Sequence, residues 1–106
     1  MSASDVLRWL KPWEPVAPEA ARTLEAELHL ELAPHHPLFG TSARILARRI
    51  DRDDVALDLG ERRYAVAHLT WAGKPDPQSG FPVSTVYASA ASLQDRVDQD
   101  VIEYVS

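Results

Sequence analysis

His68 stands in the segment "RYAVAHLTW" (63–71), with Tyr64 four residues before it and Thr70 two after. On a strand the three side chains point to one side. A histidine in that setting can take up or release a proton near neutral pH, and the two hydroxyls beside it can hold a polar ligand. Arg44 and Arg48 in "ARILARRI", and Tyr87 in "STVY", are spaced to join from neighbouring strands. Arg44, Arg48, Tyr64, His68, Thr70 and Tyr87 therefore form the candidate binding surface. Its mixture of Tyr, Arg and isolated aliphatics matches interface centres, whereas a purely solvated face carries more Lys, Glu and Ser. No catalytic residue is assigned: His68 lacks an evident nucleophile, and there is no nucleophile elbow, Walker loop or dinucleotide fingerprint.

The other histidines offer weaker chemistry. His35 and His36 are adjacent and diverge on regular structure, while His29 lies outside any familiar ligand spacing. A divalent site from His29, His36 and Glu25 or Glu31 requires the helix end to fold back, so neither a metal site nor a cofactor is expected. The "DRDD" run (51–54) resembles the start of a calcium loop but has Ala56 where the sixth-position Gly belongs and Arg62 where the twelfth-position Glu belongs. It reads as a solvated turn. The absence of Cys excludes disulfides, a thiol nucleophile and thiolate metal sites.

Charge narrows the partners. The net charge of −5, from 11 Lys and Arg against 16 Asp and Glu, opposes nucleic-acid binding unless the positive charge is concentrated. Arg44, Arg48, Arg49, Arg52, Arg62 and Arg63 do cluster, but Asp51, Asp53, Asp54, Asp58 and Glu61 lie among them. The expected partner is a protein, basic in character, or a second copy of the chain. No signal-peptide pattern and no apolar run of membrane-spanning length appear, so no membrane partner and a cytoplasmic location are expected.

These residues need elements to position them. At 106 residues, 45% hydrophobic and 25% charged, the chain suits one domain over 1–106. "DVLRWL" (5–10) reads as a short helix stopped by Pro12, and "PWEPVAP" as an extended connector. "PEAARTLEAELHLELA" (18–33) reads as a helix with Ala21, Leu24, Leu28 and Leu32 on one stripe, although "ELHLEL" also alternates as a strand would. Segments 41–50, 55–59, 62–71 and 83–89 read as strands, and "SLQDRVDQDVIEYV" as an amphipathic helix capped by Ser89 or Ser92, with Leu93, Val97, Val101, Tyr104 and Val105 inward. The expected fold is α+β, a four-stranded antiparallel meander with N-terminal helices and a C-terminal helix on one face. Ala43, Ile45 and Ala47 would point inward with Val55, Leu57, Leu59, Ala65, Ala67, Leu69 and Trp71. The candidate surface would be the opposite, open face, unless the sheet curls or the N-terminal segment folds over it. The loop "AGKPDPQSGFP" (72–82) is long for a hairpin, and Lys74, Asp76 and Phe81 could flank that face.

"HPLFG", "RDDVALDL" and "YAVAHLTWAG", in that order across residues 36–73, resemble a group of small bacterial proteins usually labelled uncharacterised. The resemblance implies bacterial origin and carries no activity, cofactor or site residue. Two functional readings follow. The first is a non-enzymatic interaction module, accessory or immunity-like, that docks a partner or a second copy through the open sheet face. The second is a small-molecule binder or enzyme with a site around His68 and Tyr64 beside the 72–82 loop.

Overall fold

Pro18 presets the first turn of a helix, and the Ala, Leu and Glu residues behind it carry that helix to Glu31, so helix propensity prevails over the alternation at Leu28, Leu30 and Leu32. Leu32 is already extended, two residues before Pro34, which disfavours helical backbone in the residue preceding it. In the computed structural model, which describes residues 7–75 and 82–106, the elements run β1 (Trp13–Pro15), α1 (Pro18–Glu31), β2 (Arg44–Arg49), β3 (Asp54–Gly60), β4 (Arg63–His68), β5 (Ser84–Tyr87) and α2 (Ala90–Val105). The strands form one antiparallel meander in chain order, β1-β2-β3-β4-β5. The fold is α+β as expected, with a fifth strand contributed by β1. Among the described residues, no helix is long and apolar enough to cross a membrane.

The two helices take opposite faces of the sheet. Leu24, Leu28 and Leu32 pack with Ile45, Val55, Leu57, Leu59, Ala65, Ala67 and Leu69. Leu93 and Val97 of α2 pack on the other face with Trp13, Ala47, Ala56, Tyr64 and Val66. This corrects the one-sided arrangement, and the reason lies in β3 and β4. "VAL" and "YAVA" are continuous apolar runs rather than alternating ones, the pattern of strands buried on both faces. Leu93 and Val97 are fully buried, and each contributes about 1.5–3 kcal/mol by leaving water. The α2 stripe then stops early: Ser89 caps the helix by accepting from Ser92 N at 3.1 Å, Val101 is half-buried, and Tyr104 and Val105, expected inward, are exposed.

A bulge in β2 moves residues between the cores. Ile45 pairs with Leu57, but Ala47 pairs with Ala56, so Leu46 is the extra residue. A one-residue insertion flips every later side chain. Ala47 therefore joins the α2 core and Arg48 turns to the α1 side, the reverse of the expected alternation.

The N-terminal expectation also changes. Residues 7–10 are not helical, and the remainder of the expected helix lies outside the described residues. A helix that short, ended by Pro12, cannot repay its nucleation. Leu7 instead buries in the α2 core, and Trp9 lies against Trp13 with ring centroids 6.1 Å apart. Trp13–Pro15, read as connector, pairs with β2, and Pro15 is tolerated because β1 is an edge.

Candidate functional site

Asp54 opens β3 and His68 closes β4, and the hairpin register places them directly opposite each other. His68 Nδ1 lies 2.8 Å from Asp54 Oδ1. An ionised carboxylate only accepts, so Nδ1 carries the donated proton, and in the neutral tautomer this selects, Nε2 holds the lone pair. Asp54 is buried, whereas the His68 side chain is 49% exposed. Together with Val66, Val83, Ser84, Thr85 and Arg96, the pair lines a depression of about 80 Å³ between β4, β5 and α2.

Behind Asp54 runs a partly buried chain of charges. Arg96 Nη2 is 3.7 Å from Asp54 Oδ2, its Nε donates to Asp100 at 3.0 and 3.2 Å, and its Nη1 donates to the Tyr87 hydroxyl at 3.1 Å. Burial is the largest influence on Arg96 and acts to lower its pKa. The Tyr87 hydroxyl and Asp100 outweigh it, leaving the guanidinium above its ordinary value and charged. Asp100 also accepts the indole N–H of Trp13 at 2.8 Å and meets Arg49 Nη1 at 3.3 Å, and Arg49 Nε donates to Asp51 at 2.7 Å. The carboxylate that orients His68 is thereby tied through Arg96 to the α2 core.

The candidate residues do not share one surface. Tyr64 is buried beneath α2; burial first, then the charge of Asp58, push its phenol above its ordinary pKa, while Arg62 lowers it. Tyr87 pairs with Tyr64, is half-buried and is engaged by Arg96. Arg44 is exposed further along the same face, opposite Asp58, beside a wide polar hollow with Ser42 and Gly60. Arg48 is on the α1 side with Arg52 and Trp71, the last of which is exposed rather than inward. Thr70 has left the strand: its N–H and hydroxyl both donate to Glu31. The structure thus connects Tyr87 to the Asp54–His68 pair through Arg96, leaves Tyr64 buried beside Tyr87 and outside the lining of the depression, and separates Arg44, Arg48 and Thr70 from His68.

Asp54, Arg96 and Asp100 were absent from the sequence-based set. Asp54 was legible in principle, because pairing "VALDL" with "YAVAH" across the Gly60–Arg63 turn places it beside His68. Arg96 was legible only once α2 was assigned to this face.

The ends of the 72–82 loop have their own fastenings. Glu31, 1% exposed, accepts from Thr70 N at 2.8 Å and Trp71 N at 2.9 Å, and Glu27, one turn earlier, accepts from Gly73 N at 3.0 Å. Trp71 and Gly73 adopt positive φ, which turns successive N–H groups toward the carboxylates. At the far end His36 Nε2 lies 2.7 Å from the buried Pro82 carbonyl, and His36 Nδ1 accepts from Leu38 N at 3.0 Å. That pair of contacts assigns the proton to Nε2. His36, Glu31 and Glu25, which accepts from Ile45 N, thus hold backbone. Phe81 and Asp76 lie outside the described residues; Lys74 is exposed.

No family model, curated protein or solved structure matches this chain.

Proposed function

We propose that the protein binds a small polar molecule, or one polar group of a larger one, in the depression between β4, β5 and α2. The observation that carries this reading is the Asp54–His68 pair, in which Nδ1 is engaged and Nε2 of the neutral tautomer has no hydrogen-bond partner among the described residues at the depression. A volume of about 80 Å³ equals two or three water molecules, far below a drug-sized pocket, so it suits a single group. Nε2 favours a group that donates a hydrogen bond: a hydroxyl, an amide N–H or an ammonium. Arg96 is occupied by Asp100, Tyr87 and Asp54, which argues against a carboxylate or phosphate as the primary ligand. The reading assigns hydrogen-bond acceptance from the ligand to His68 and no bond-making step.

The test is a nuclear magnetic resonance screen of hydroxyl-, amide- and amine-bearing fragments against the wild type and His68→Ala. The expected result is a set of saturable shifts at His68, Val83 and Thr85 that vanish in the variant, which should fold because the side chain is half exposed. Fragments that shift neither region, or shift both proteins alike, would refute the site. The interaction reading loses its open face to α2; it moves to the sheet edge.

A further inference from the structure

The two edges of the sheet differ. β1 is short, bears the charge of Glu14 with Lys11 just ahead of it, is preceded by Pro12 and ends on Pro15. These are the devices by which natural edges resist pairing. β5, though only four residues long, carries neither a charged residue nor a proline. His68 N donates to Val83 O at 2.9 Å, and antiparallel bonding alternates, so Val83, Thr85 and Tyr87 direct their backbone groups to β4. Ser84 and Val86 then point N–H and C=O away from the sheet. Among the described residues, nothing pairs with that side. Val83 and Val86 beside it are apolar and exposed at 54% and 47%.

We propose that β5 pairs antiparallel with β5 of a second copy, joining the two sheets into one. Charge selects this occupant. The chain carries −5 overall, yet no charged side chain occurs between Asp76 and Asp95. The β5 edge is therefore a neutral window in an acidic surface, where a like-charged copy meets little repulsion and a basic partner gains little. One register uses every outward group within β5: Ser84 of one copy opposite Val86 of the other, with Thr85 facing Thr85 at the two-fold axis. Threonine pairs across strands are favourable. The pairing also closes. Each copy uses its one open edge and leaves its proline-blocked edge outermost, which gives a dimer rather than a filament.

Val86→Pro is the diagnostic substitution. The Val86 N–H points outward, so proline removes no bond within the chain, and edge strands tolerate it. Sedimentation velocity over a wide concentration range should show a monomer–dimer equilibrium for the wild type. In the variant, losing two symmetry-related ladder bonds should weaken association about tenfold or more. Amide exchange at Ser84 and Val86 should slow with concentration in the wild type only. Thr85→Lys, with its charge at the two-fold axis, gives the same readout if the proline variant does not fold. A wild type that stays monomeric throughout, or a folded variant that still dimerises equally well, overturns the proposal. Val83, Ser84 and Thr85 line the depression as well as this edge, so the fragment screen at His68 is run at a concentration where the wild type is monomeric, which lets the two readings fail separately.

Discussion

Asp100→Ala removes the acceptor shared by Trp13 Nε1, Arg96 and Arg49. The Arg49 side chain is 3% exposed and would keep Asp51 alone as counter-charge, while the Trp13 indole N–H would have no acceptor. Breaking a buried ion pair by deleting one partner costs about 3–5 kcal/mol, and stranding a buried donor about 1–3 kcal/mol. The two overlap, because Arg96 is partly exposed and can turn to Asp54 or water, so the expected loss is about 4 kcal/mol. Set against a total stability of about 5–15 kcal/mol, that is a large share. With a urea slope of about 2 kcal/mol per molar, the midpoint should fall by about 2 M. Asp100→Asn keeps the volume and an acceptor for Trp13, so it should lose about half as much. Circular dichroism and Trp fluorescence in urea provide the assay. A loss below about 1 kcal/mol for the alanine variant, with an unchanged slope, would refute the claim that Asp100 anchors the charge chain. The same substitution frees Arg96, so His68 resonances should shift although His68 is not itself changed.

Glu27 gives a pH prediction. The neighbouring Glu31 carboxyl, and then burial, raise its pKa above the ordinary value, with the Gly73 N–H pulling the other way. The folded state then holds the proton more tightly than the unfolded one, so stability falls as pH rises from the ordinary glutamate value through the raised one. Glu27→Gln should flatten that part of the profile in urea melts at stepped pH; an unaltered slope would contradict it. In the β3–β4 turn, Glu61 and Arg62 sit at φ 54° and 63° with Cβ atoms that disfavour it. Arg62→Gly should stabilise by about 0.5–1 kcal/mol once the added chain entropy of glycine is subtracted. A lower melting temperature would show that the turn is not strained.

Much of the fold was legible because each element carried its own local instruction. The Pro18 start, the Ser89 cap and the turn at Gly60 have local causes and appear where expected. What was not legible depended on choices between faces. The apolar runs in β3 and β4 fit either one-sided or two-sided burial until α2 is placed, and the open binding surface depended on that choice. The Leu46 bulge has no marker in "RILARR", yet it alone reverses Ala47 and Arg48. Of the candidate site, His68 is legible from its residue type, whereas Asp54 is not, because "DRDD" has turn chemistry throughout although its last residue begins a strand. Thr70 was misplaced by extending the strand period two residues past its end.

The double fastening at Glu27, Glu31 and His36 separates the loop's length from the sheet's register. Gly73 is fixed at one end and Pro82 at the other, so changes between them need not pull on β4 or β5. The β4–β5 register is therefore set by contacts from α1 and from His36 on the two sides of the connection, and not by the connection's length.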